Sequence, residues 1–203
     1  TGASVPGASD IAIFDVNSGT CSIDVNVSVA GINTTGYTST ITQNAFTITV
    51  GASNLIWAGG TYTGSASAIT VNGTFTLSGG TFTSTSGTFT SAGSFTLTAG
   101  TFNHNNGTVT FTVAATITSG IFYNLTFNGA AIFTITNNTI VNNILTFSAL
   151  TTLNGSPIEA RGNLVFTDTT WSGTSKILVN GTGAQTTSGT GVCGVTMDVN
   201  KAS

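Results

Sequence analysis

Gly60, Gly80, Gly100 and Gly120 stand twenty residues apart, and two places after each comes an aromatic ring: Tyr62, Phe82, Phe102 and Phe122. A second column, Trp57, Leu77, Leu97 and Ile117, keeps the same step. A period of this length, held in several columns at once, marks a coiled repeat in which the chain closes one turn per period and stacks on itself. A shorter unit lies inside the period. Phe75, Phe82, Phe89, Phe95, Phe102 and Val109 succeed one another at steps of six or seven, each directly after a Thr or Ser. Three such units make one turn. Each reads as a short strand with its ring inward, β-branched hydroxyl residues outward and a Gly-containing corner at its end. A seven-residue step also suits a coiled coil, but a Gly in every unit and β-branched flanks oppose a helix.

The spacing therefore predicts an all-β fold: a right-handed parallel β-helix of about ten coils, roughly 20 residues per coil, with three short strands per coil. At about 4.8 Å per coil the rod would be about 50 Å long. Like side chains then stack, Phe75 against Phe95, Phe82 against Phe102 and Phe89 against Val109. Farther along, Leu125-Thr126-Phe127 recurs as Leu145-Thr146-Phe147 and then, nineteen on, as Leu164-Val165-Phe166. Residues 1–203 read as a single solenoid domain, with 1–50 an entry cap plus early coils and 51–203 regular coils. Pro6 and the stretch from Asp10 to Phe14 set the first coil apart. The chain opens at Thr1 and stops at Ser203 without a turn signal. It reads as a piece of a longer precursor whose last coil continues into further chain or into the next subunit.

Charge narrows the function. Only 4% of the residues are charged, the net charge is -3, and no Asp, Glu, Lys or Arg lies between Val25 and Ile158. Phosphate backbones and anionic lipids are bound by Lys and Arg clusters, so nucleic acid and lipid headgroups are poor partners. No apolar run reaches the roughly 18 residues of a membrane helix, and no membrane insertion is expected. At 39% hydrophobic, with 13 spaced Phe, the chain has the material of an apolar interior rather than of a disordered segment. Polysaccharide-active β-helices work with clustered carboxylates and cations, which the central coils lack. His104, within Asn103-His104-Asn105-Asn106, reads as a corner residue, and Glu159, Arg161 and Asp168 as a surface ion-pair group. No catalytic residue, metal ligand or cofactor is expected.

Two features remain. Cys21 and Cys193 are the only cysteines. A compact secreted domain would join them, but in a rod they lie eight or nine coils apart, about 40 Å, against the roughly 7 Å that a disulfide allows. Two buried thiols, a bond from Cys21 of one subunit to Cys193 of the next, and a chain that doubles back all stay open. The second feature is Thr-x-Thr. Thr96 and Thr98 should lie directly beneath Thr116 and Thr118, with Thr76 in the same ladder. Outward Thr suits a strand in any case, but such a ladder is also a candidate face for glycan or ice.

The segment from Pro6 to Phe14, followed by Gly-Thr-Phe-Thr repeats, resembles the solenoid regions of large bacterial surface proteins of the filamentous-haemagglutinin and autotransporter-passenger kind. That resemblance implies secretion to the cell surface, a structural or adhesive role and no cofactor. The expected function is a non-enzymatic filament, fibre or adhesin stalk whose partner is another copy of itself or further repeats. The alternative is a binding module that holds glycan or ice.

Overall fold

The computed structural model describes residues 6–149 and 152–200; Thr1, Lys201 and Ser203 lie outside them. The described chain is all-β and contains no helix; it winds through about nine turns of roughly 20 residues. Every pairing between its strands is parallel, and the ladders sort into three faces. The first face runs from Ile11–Ile13 through Gly31–Asn33 and Leu55–Trp57 to the start of Phe75–Thr83, and ends at Thr152–Gly155. The second carries Cys21–Ser22, Thr40–Thr42, Thr61–Thr63 and the later half of Phe75–Thr83; its last strand is Thr196–Val199. The third begins at Val27–Val29 and passes through Ile48–Val50, Ile69–Val71, Thr88–Ser91 and Thr108–Phe111 to Thr187–Ser188. Three short strands per turn are what the six-to-seven spacing demands.

Alternation along each strand builds the core. In Thr61–Thr63 the central Tyr62 is buried while both threonines are exposed. Phe75, Phe82, Phe89, Phe95, Phe111, Phe122 and Phe127 are all fully buried, and they form one continuous aromatic column. Phe75 lies 4.8 Å from Phe95 and Phe82 lies 6.2 Å from Phe102, ring centre to ring centre. Both expected stacks are present. Phe89 faces Val109 in register, and Leu125 faces Leu145, which faces Leu164.

Corners are closed by glycine and by amide side chains. Gly60, Gly80 and Gly100 share a left-handed backbone with φ of 68°, 68° and 80°. A Cβ on Gly80 would press on the carbonyl of Gly60, so successive coils approach too closely for any side chain there. At another corner Gln43 is fully buried. Its Nε2 donates to the carbonyls of Phe46 and Ser67, and its Oε1 accepts from the Ser65 N–H.

The period is not constant: Ile32 faces Leu55 and Leu164 faces Thr187, each twenty-three residues on, and the change that matters most comes mid-rod. Phe95 faces Ile117 rather than residue 115, a slip of two, and on the third face Val109 faces Leu125 rather than residue 129. Gly120, fourth in the glycine column by sequence, has φ 155° and does not share the corner geometry of the other three. Phe122 nonetheless keeps its place under Phe102, at 6.1 Å. The slip leaves Leu97 half-exposed without its expected partner Ile117. The Leu97 N–H is taken up instead by the Thr118 hydroxyl at 2.8 Å.

Candidate functional site: the two ends and the threonine faces

Side-chain chemistry is sparse. Glu159, on the strand Ile158–Ala160, pairs at 2.6 Å with Arg161 just after it, and Lys176 pairs with Asp198 at 3.3 Å across two strands. The Asp168 carboxylate accepts from the Thr170 N–H. His104 sits at its corner with Nδ1 accepting from the Asn106 N–H at 3.0 Å, its ring 5.6 Å from Tyr123. Partial burial lowers its pKa from the ordinary value. Among the described residues no three His, Cys, Asp or Glu side chains gather where they could hold a metal ion. No helix is long and apolar enough to cross a membrane.

The cysteines lie at opposite ends of the stack. Cys21 is in the first coil, where Cys21–Ser22 pairs with Ile41 and Thr42. Cys193 follows the last strand of the third face, with its Sγ donating to the Val195 carbonyl at 3.3 Å. Both are free and half-buried. Burial, with the Asp24 carboxylate as a lesser cause, pushes the Cys21 thiol above its ordinary range. The bond within one chain is therefore ruled out by length, and the chain does not double back.

The threonine ladder needs correction. Thr76 does face Thr96. The two-residue slip, however, moves Thr116 beside Ser94, whose hydroxyl accepts its N–H at 3.2 Å, and moves Thr118 beside Leu97. Thr98 falls in a bulge, because Ser78 faces Ala99. Thr116 thus stands over Ser94 instead of Thr96, and the register of Phe95 with Ile117 carries Thr118 beside Thr96 and Leu97 instead of over Thr98. A longer column stands on the third face. Thr49, Thr70, Thr90, Thr110, Thr126 and Thr146 face one another in unbroken register over six coils. On the second face Thr40, Thr61, Thr81 and Thr101 form a shorter one. The sequence contains every one of these residues, but the column crosses the short third-face step from Val109 to Leu125, which a fixed period misaligns.

Among the described strands the parallel ladder has one unpaired edge at each end. Among the described strands Ile11–Ile13 pairs on one edge only, as does Thr196–Val199. Large apolar side chains are exposed in these end coils: Ile11 and Ile13 on the first edge strand with Val16 and Val25 in the turns beyond it, and Met197 and Val199 on the last edge strand with Val192 before it. Ile13 is 69% exposed and Val199 66%. Among the described residues along the body of the rod, Val113, Ile121 and Ile132 are comparably exposed. Compared with protein-family models, with curated proteins and with solved structures, the chain matches none.

Proposed function

We propose that this chain is a non-enzymatic structural element of an extracellular fibre, a surface filament or adhesin stalk built by end-to-end stacking of coils. The observation that carries the reading is the concentration of exposed large apolar residues in the two end coils, beside their unpaired strand edges. A parallel edge offers unpaired N–H and C=O groups as a template for another strand. Burying the flanking Ile and Val side chains against a second copy adds the apolar drive. The contact is heterologous, first coil against last, so it propagates along an axis instead of closing. The low charge of the central coils suits a stiff spacer that recruits no ion, nucleotide or phosphate. A Cys21–Cys193 bond between subunits is not needed for it, since the raised Cys21 pKa lowers the thiolate fraction that oxidation uses.

Concentration-dependent sedimentation with electron microscopy tests this. The parent chain should give fibres of one coil width, and Ile13→Lys with Val199→Lys should give single rods through like-charge repulsion at the joint. Fibres that persist in the double variant, or a parent that stays a single short rod at high concentration, would overturn the proposal. Cys21→Ser should leave fibre length unchanged in reducing and non-reducing buffer.

The unbroken column from Thr49 to Thr146 favours one second reading, a flat hydroxyl-methyl face that holds glycan or ice. It is separated by substitution in the middle of the face. Thr90→Leu with Thr110→Leu would abolish glycan-array signal or ice-recrystallisation inhibition while leaving fibres intact. Absence of either activity in the parent chain would remove this reading.

A further inference from the structure

A stacked coil resists bending in every direction when a backbone ladder ties it to the next coil on each face. One junction of this rod lacks that. The fifth coil carries Phe95, Phe102 and Val109 inward, and the sixth carries Ile117, Phe122 and Leu125. On the third face four register pairs join them, from Thr108 with Asn124 to Phe111 with Phe127. On the first face one pair remains, Phe95 with Ile117. Hydroxyls that can rotate stand in for the rest: Ser94 accepts the Thr116 N–H, and Thr118 accepts the Leu97 N–H. On the second face no ladder joins residues 101–103 to residues 120–122. Directly below, residues 81–83 pair with 101–103, and directly above, residues 120–122 pair with 139–141.

The cause is a change of cross-section. Below the junction the corner between the second and third faces is wide: Phe82 and Phe89, then Phe102 and Val109, stand seven residues apart. The fifth coil turns it with Asn105 and Asn106 at φ 50° and 56°. In the sixth coil Phe122 and Leu125 are three apart, and the chain runs through as one strand, Gly120–Asn128. The coils above stay tight, with Val141 and Leu145 four apart. Two coils of different outline superpose on one face and part on another. The core registers the parting. Leu77 and Phe82 are each 1% exposed, whereas Leu97 and Phe102, one coil on, are half-buried. Phe82 and Phe102 stack at 7°, but Phe102 meets Phe122 tilted at 57°. A groove of about 390 Å³ opens there, with Leu97, Gly100 and Phe102 on one lip and Gly120 and Ile121 on the other.

We propose that this junction is a hinge: two stiff half-rods pivot about the third-face ladder, and the groove on the second face opens and closes as they do. A ladder on one face leaves a line to turn about, and the half-exposed rings slide where stacked ones would hold. This inference does not rest on end-to-end assembly. It is measured at a dilution where scattering shows single rods, so failure to form fibres leaves it untouched.

The experiment is pulsed electron spin resonance between nitroxide labels, in the chain carrying Cys21→Ser and Cys193→Ser. Thr61→Cys with Lys176→Cys crosses the junction on the second face. Thr70→Cys with Ser188→Cys crosses it on the third face, in register throughout. Each pair spans six coil steps, about 29 Å at the usual strand spacing. A pivot moves the far side most, so the second-face pair should give a distance distribution about twice as broad as the third-face pair. Ser22→Cys with Thr101→Cys stays on the second face below the junction, where every step is laddered, and should be as narrow as the third-face pair. If circular dichroism shows that the Thr61→Cys chain does not fold, Thr63→Cys takes its place. Equal widths for the two pairs that cross the junction, or a Ser22–Thr101 pair as broad as the Thr61–Lys176 pair, would overturn the inference.

Discussion

Phe95 is the side chain on which the middle of the rod turns, and Phe95→Ala measures what the aromatic column contributes. The ring is fully buried and lies within 6.0 Å of five others: Phe75 at 4.8 Å, Phe102 at 5.2 Å, Phe122 at 5.4 Å, and Phe89 and Phe111 at 6.0 Å. Lost transfer energy for a fully buried Phe is about 1.5–3 kcal/mol. A well-oriented ring pair adds about 0.5–1.5 kcal/mol, though five pairs sharing one ring do not add independently. The cavity left behind brings the loss to about 4–5 kcal/mol, the upper part of the Phe→Ala range. For a chain of this length that is a fall in melting midpoint of about 10–15 °C. Location sharpens the test. Each coil touches only its neighbours, and Phe95 stands where the ladder slips toward Ile117. Limited proteolysis of the variant should therefore cut first around the fifth and sixth coils. Thermal unfolding followed by circular dichroism gives the midpoint, and mass spectrometry of the early fragments gives the site. Thr96→Ala, one residue on but facing outward, should stay within about 0.5 kcal/mol of the parent. A midpoint loss under about 3 °C for Phe95→Ala, or first cuts at the rod ends as in the parent, would refute the reasoning.

Gly80→Ala should destabilise by about 1–2 kcal/mol or more, because φ is 68° and the new Cβ meets the Gly60 carbonyl. Gly19→Ala, with nothing within 4 Å, should be nearly neutral in the same urea titration. Gln43→Leu should cost about 2–4 kcal/mol, since the Ser65 N–H and the Phe46 and Ser67 carbonyls would be left without their side-chain partner; equal stability in thermal melts would count against this corner. His104 has a folded-state pKa below its ordinary value, so the fold favours the neutral ring. That contribution is complete above the ordinary histidine value and is lost as pH falls through it toward the lowered one. A ring-proton NMR titration should give a midpoint below that of a His-containing peptide, and a midpoint at or above it would contradict the corner geometry.

Most of the fold is legible in the sequence for a simple reason. Stacked coils place chemically equivalent residues at equal intervals, so Phe75, Phe95 and their neighbours announce both the strand and its partner. The slip is not legible, because Ala115 and Ile117 are both apolar and either suits the place under Phe95. Register there is decided by which choice lets Phe111 meet Phe127, at 6.1 Å, and the Leu97 N–H find the Thr118 hydroxyl. Neither contact has a pattern of its own. The same ambiguity reaches the threonines: a fixed period sets Thr116 on Thr96 and misaligns the column from Thr49 to Thr146. Volume is illegible for another reason: an inward Ile and an inward Phe score alike in an alternating pattern, yet they differ in size. The third residue type at work is the indole. Trp57 and Trp171 both read as core, and only their surroundings distinguish the donor met by the Val192 carbonyl from the one left unmet. Periodicity records where side chains point, whereas partnership and volume must be read from the folded stack.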